Sequence, residues 1–262
     1  MPANYAHYRF GAQALGTMEP ELRRLIQRNR RLYDMGLHGP DLFFYYDPIR
    51  STKIGALGGH YHALSGAEFF SRAVRRLRLQ PSEGGEAYLY GVLGHYCLDS
   101  TCHPHIERWD REKQAGHVEI ETEFDRCLLE RDGKTPAFAQ DISPHMHIDE
   151  KQSQTIARFY PPATARNIRR CAGNMVFFTR LLSLPDKGGR GLLERFGGIA
   201  GETNAQMIMT RVPNPRCEGL DAPLLALYGA ALEKFPAMVR HLTEHLTYGA
   251  PLKENFTASF GG

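Results

Sequence analysis

Apolar positions recur along this chain at three- and four-residue intervals, the spacing that lines one face of a helix. Leu22, Leu25, Ile26 and Leu32 keep that period over 19–34, with acids early and arginines late, as the helix dipole favours. Pro20 suits a first turn, and Gly36, Gly39 and Pro40 end the segment. Ser65 is placed to cap a helix through Arg78, with Glu68 three residues on as the partner of a capping box. Over 86–100 the chain is apolar almost all round, which predicts a central buried helix. Over 116–130 it is amphipathic, with Ile120, Phe124, Cys127 and Leu128 on one side. Further long helices are predicted over 164–184 and 223–246. Between them, 185–217 is Gly-rich, contains Pro213 and Pro215, and reads as irregular surface. No strand-like alternation and no internal repeat is found. The expected fold is therefore all-α, a bundle of roughly six to nine helices. It is expected to be one domain over 1–262: a helical core over 1–184, then an irregular segment and a C-terminal helix over 185–262.

Composition narrows the function more than the fold. With 42% hydrophobic and 23% charged residues the chain is an ordinary globular one. A net charge of +3 gives no reason to expect a stable nucleic-acid partner. The residues after Met1 show no basic region leading into an apolar run, and no stretch approaches the ~20 apolar residues of a membrane span, so a cytoplasmic location is expected. Five cysteines without a tight framework read as reduced thiols. The outlier is histidine: twelve in all, six of them between His60 and His117.

Two pairs stand out, His95-Asp99 and His117-Glu121, each i,i+4 on a predicted helix, with Cys102-His103-Pro104 read as a turn between them. Residues four apart share a helix face, and imidazole and carboxylate are common ligands of zinc. The pattern predicts a polynuclear metal site between helices.

Other segments extend it. Ala6-His7-Tyr8-Arg9-Phe10-Gly11, Gly39-Pro40-Asp41-Leu42-Phe43, Gly59-His60-Tyr61-His62 with Phe69-Phe70, Gly94-His95 to Asp99, His103-Pro104 and Gly116-His117 to Glu121 follow one another in order. This series resembles the zinc-dependent phospholipase C family, whose fold and metal centre are shared with single-strand-specific nucleases. The resemblance covers roughly residues 5–130. It implies that Asp41, His62, His95 and Asp99 hold one zinc, that His103, His117 and Glu121 hold a second, and that Asp99 bridges to a third with His7. His60 stands as the alternative to His62, and His105 to His103. In secreted members the third ion also takes the amino group of an N-terminal Trp. This chain has no Trp there, so two to three ions are expected. Asp41 is also the candidate to orient or deprotonate an attacking water.

The remaining candidates read as structural. His38, His60, His105, His145 and His147 are expected outside the ligand set, and His241 and His245 on a solvated face. Cys97 and Cys102 are expected to be small buried residues, Phe43-Phe44-Tyr45-Tyr46 mainly core, and Arg72, Arg75, Arg76 and Arg78 a solvated face that also offers contact to an anionic membrane surface. The expected activity is zinc-dependent hydrolysis of a phosphodiester, either a phospholipid or a soluble headgroup ester. A nuclease or nucleotide phosphodiesterase, or a non-catalytic zinc-stabilised helical protein, are the competing expectations.

Overall fold

The computed structural model describes residues 4–112, 114–184, 205–252 and 254–261. Its elements among these are helices joined by turns, with one isolated antiparallel bridge between Ser65 and Ser259. Among the described residues ten α-helices occur in chain order, α1 Asn4–Ala14, α2 Pro20–Arg28, α3 Arg30–Gly36, α4 Leu57–His62, α5 Gly66–Leu79, α6 Glu83–Arg111, α7 His117–Arg131, α8 Glu150–Ala157, α9 Ala165–Leu182 and α10 Asp221–Tyr248. The count exceeds six to nine because several are too short to announce themselves by periodicity, and because the segment 19–34 splits. It breaks at Asn29 (φ −121°, ψ 32°), whose side-chain amide donates to Leu25 O at 3.0 Å. An Asn that satisfies a carbonyl of the last turn competes with continued helix.

Helix α6 is the axle, 29 residues and about 44 Å long. Ser82 starts it by accepting from Gly85 N at 3.1 Å. Its flank meets α3 backbone to backbone. A Cβ on Gly36 would lie 2.3 Å from Tyr88 O, and one on Gly91 2.2 Å from Tyr33 O. Only glycine permits that approach. Helices α1 and α10 pack on other faces of α6, and buried residues from Tyr5 to Phe260 join one apolar core.

The expected turn at Cys102-His103-Pro104 is absent. The helix runs through Pro104 to Arg111. Proline there has no N–H for Ser100 O, a local cost of a few kcal/mol. Ile106 and Trp109, both buried beyond it, anchor the extension. Thr101 Oγ1 donates to Cys97 O at 2.7 Å one turn back. The consequence for the site is large: His95, Asp99 and His103 now stand i, i+4 and i+8 on one face of one helix.

Ser65 caps α5, accepting from Glu68 N at 3.2 Å, but the Glu68 carboxylate pairs with Arg72 and does not return to the cap. The basic run is partly engaged elsewhere too. Arg76 donates to Phe159 O, and Arg78 to His245 O and Leu246 O at the end of α10. In the run 43–46, Phe43 and Tyr45 are buried while Phe44 and Tyr46 are partly open. Of the segment 185–217, residues 185–204 lie outside the described residues; the rest includes a short 3₁₀ turn at Pro215–Cys217. Among the described residues no helix is long and apolar enough to cross a membrane.

Candidate metal centre

Five elements aim side chains at one point. Helix α6 supplies His95, Asp99 and His103, α7 supplies His117 and Glu121, α4 ends on His62, and α1 carries His7. Asp41 comes from the 3₁₀ segment Gly39–Tyr45, entered through Gly39 at φ +47°. That conformation suits glycine, and a Cβ there would also lie 2.5 Å from the His95 ring. Gly39 thus lets the Asp41 segment lie flat against a site histidine.

Asp99 is the hub. Its Oδ1 lies 3.1 Å from His7 Nε2 and 3.6 Å from His103 Nε2; its Oδ2 lies 3.0 Å from His95 Nε2 and 3.8 Å from His62 Nε2. Asp41 Oδ1 is 3.1 Å from His62 Nε2. Glu121 Oε1 stands 3.4 Å from both His103 Nε2 and His117 Nε2. Three donor groups result, the first two sharing His95: Asp41, His62 and His95; His7, His95 and Asp99; His103, His117 and Glu121. Donors around a tetrahedral zinc at about 2.0–2.1 Å lie about 3.3 Å apart. The observed separations bracket that value.

The outer contacts fix which ring nitrogen faces inward. His62 Nδ1 lies 2.8 Å from Gly58 O, and His95 Nδ1 lies 3.3 Å from Leu37 O. A carbonyl only accepts, so both Nδ1 atoms carry the proton and the neutral rings turn an Nε2 lone pair to the site. A backbone carbonyl behind an imidazole is the usual support of a metal-binding histidine. His95 Nε2 is buried and makes no hydrogen bond, although Asp99 is near. The donor set and this orphaned nitrogen fit zinc.

The charges call for a cation as well. Asp41, Asp99 and Glu121 are all buried. Burial pushes the Asp99 carboxyl up, but the charges of His103, His95 and His7 outweigh it and hold it well below the carboxylate range. Glu121 is likewise pushed up by burial and held well below the carboxylate range by the positive charges around it, those of His117 and His103 among them. For His103, burial works against the charged form, yet Asp99 and Glu121 raise its pKa to about 9. Without metal, the pocket draws in protons to balance its carboxylates. Buried charges that remain ionised are paired or coordinate metal.

The structure thus gathers every residue of the expected set, His7, Asp41, His62, His95, Asp99, His103, His117 and Glu121. It separates them from the alternatives. His60 is exposed, and His105 turns to Trp109, ring centroids 6.2 Å apart. His145 pairs with buried His38, Nε2 to Nε2 at 2.8 Å, and stacks on Tyr8. His245 Nδ1 lies 2.7 Å from Ala250 O. Cys97 Sγ donates to Ala231 O, and burial pushes its thiol up to about 12. Access is uneven. The His117 and His62 side chains are 27% and 14% exposed, whereas His95 is closed off, so the centre opens toward the first two.

Asp125, not foreseen as part of this region, stands one turn beyond Glu121. It accepts from Tyr5 N at 3.0 Å and Ala6 N at 2.8 Å. It therefore caps the helix that carries His7. An acid four residues after the candidate ligand Glu121 was the available signal, but only folding shows what it faces.

A family model described as zinc dependent phospholipase C matches residues 6–170. No curated protein and no solved structure matches the chain.

Proposed function

From the premise that the chain belongs to the zinc-dependent phospholipase C family, we propose that it hydrolyses a phosphodiester, either a phospholipid or a soluble headgroup ester. The observation that carries this reading is Asp99, a single buried carboxylate with four imidazole nitrogens within 3.8 Å. Asp41, His62, His95 and Asp99 Oδ2 are proposed to hold one zinc, and His103, His117 and Glu121 a second. His7 and Asp99 Oδ1 would contribute to a third. Zinc bound in such a set lowers the pKa of water towards ~7 and neutralises phosphoryl oxygens.

The chain's own groups do the rest. Asp41 is proposed to accept a proton of the attacking water while the phosphorus–oxygen bond to the leaving group breaks, and the departing alkoxide takes up a proton from solvent to leave as the alcohol. His62 donates no proton to it when neutral, because its Nδ1–H is spent on Gly58 O. The substrate is expected to enter past His62 and His117, where Phe44 lies 5.5 Å from the His62 ring and offers an apolar wall.

Elemental analysis beside hydrolysis of a chromogenic phosphocholine ester tests the reading. Two to three zincs per chain and turnover abolished by chelator are expected. Asp99→Asn should lose at least one zinc and about 100-fold or more in rate, since even outer-shell changes cost 10–100-fold. Zinc with turnover only on oligonucleotides would move the assignment to a nuclease. Zinc without any turnover would leave a structural role, and an Asp99→Asn protein with full zinc would refute the centre itself.

A further inference from the structure

Residues 254–261 lie far beyond the stretch that matches the family, yet they end against its metal centre. After the 3₁₀ turn Glu254–Phe256, the chain runs beside the junction of α4 and α5. Gly66 N donates to Ala258 O at 2.9 Å, Phe260 N to Leu64 O at 3.3 Å, and Gly261 N to His62 O at 3.1 Å. Tyr96 OH reaches Ala258 O and Asn255 O from α6, at 3.0 and 3.2 Å. Phe260 is fully buried, with its ring centroid 6.3 Å from that of His62 and 6.0 Å from that of His95. Its other ring neighbours are Tyr96 at 4.8 Å, Phe69 at 5.2 Å and Phe70 at 6.2 Å.

Helix α4 needs such a brace. It has six residues, and His62 is its last. A helix that short has no stability of its own, because nucleation costs more than one turn of hydrogen bonds returns. The imidazole of His62 is held by Gly58 O within the same short helix, so that contact cannot place the helix against α6. Tyr61 ties the helix to Pro161 O and to the Phe69 ring, and the tail adds at the His62 end one hydrogen bond to the His62 carbonyl and one aromatic wedge shared by His62 and His95.

We propose that residues 254–261 are a positioning segment of the metal centre: Gly261 N–H and Phe260 set His62 relative to His95 and Asp41. This rests on the reading of His62 as a metal ligand. The segment touches no substrate and acts through the histidines alone.

Gly261 permits a clean test. A Cβ there would meet nothing closer than 3.8 Å, so Gly261→Ala fits and keeps the N–H, whereas Gly261→Pro deletes the N–H and turns its ring against His62 O, which breaks this contact outright. Zinc affinity in the full-length protein would be followed by competition with a chromogenic chelator. Gly261→Ala should bind as the parent does. Gly261→Pro should hold one ion about tenfold or more weakly, the usual effect of losing an outer-shell contact, with the remaining zinc unchanged. In a His62→Ala background Gly261→Pro should cost nothing further. Parent-like affinity in Gly261→Pro, or an added loss in the His62→Ala background, would overturn the proposal. His62→Ala with full zinc and full affinity would remove its premise instead, which separates the two failures.

Discussion

At the scale of single residues, the centre shows how burial and neighbours divide identical side chains into different roles. Histidines of the centre face carboxylates. His145 faces His38 and Tyr8 instead, with Arg30 among its charged neighbours. Burial, then the Arg30 charge, lowers its pKa from 6.5 to about 3. The folded state therefore binds fewer protons here than the unfolded chain between those values. By linkage, the contribution of His145 is fully present above pH ~6.5 and is lost as pH falls toward 3. Protonation would make His145 a donor at both ring nitrogens and leave His38 Nε2 as the acceptor that the contact then needs. His145→Gln should flatten the acid side of the stability profile by up to one proton, about 1.4 kcal/mol per pH unit. Denaturant unfolding at pH 7, 6 and 5 measures it; equal slopes in parent and variant would show that His145 titrates normally. Nothing in its sequence neighbourhood, Ser143-Pro144-His145-Met146, announces this burial, because the pairing partner lies 107 positions away.

At the scale of elements, the decisive one is α6. Its apolar stretch over 86–100 was legible because burial on all sides leaves a long run without a polar face. Its end was not. Proline normally closes a helix, so Pro104 argued for a turn, and the packing of Ile106 and Trp109 overrode it. The price is the unmade bond to Ser100 O, and Pro104 itself is exposed. Pro104→Ala should therefore stabilise the protein by about 1–3 kcal/mol without moving His103. A thermal melt that rises, with zinc content unchanged, is the expected result. A fall in stability would mean that proline's fixed φ is needed to aim the last two turns. The short helix α4 shows the opposite case: its six residues carry a ligand candidate but too little periodicity to be read as a helix, and its position depends on the Gly39–Tyr45 segment, on the turn at Pro161 and on the C-terminal segment.

For the whole molecule, α1, the Asp41 segment, α4, α6 and α7 converge on one charged point inside an apolar core. Three carboxylates and five imidazoles meet there. Polar groups of that density are a liability to a core unless something compensates them. Zinc that binds only the folded chain adds RT ln(1 + [Zn]/Kd), about 4 kcal/mol at a thousandfold excess over Kd. Calorimetry should thus show a melting temperature that rises with free zinc and drops on chelation. A midpoint independent of zinc would indicate that the apo pocket is already balanced by its own protons, as the raised pKa of His103 would allow.

What the sequence determined by itself is local and periodic. Apolar spacing set the helical class, and the i,i+4 pairs His95-Asp99 and His117-Glu121 fixed which side chains share a face, because helix geometry depends only on near neighbours. The order of motifs pointed to the family before any coordinates. The tertiary structure alone decided which of His60 and His62 meets Asp41, which of His103 and His105 meets Glu121, that one carboxylate serves four imidazoles, and that Phe260 closes the wall behind two of them. Those outcomes depend on contacts between residues tens to hundreds of positions apart. They come from packing whole helices against one another, and no window along the chain contains that information.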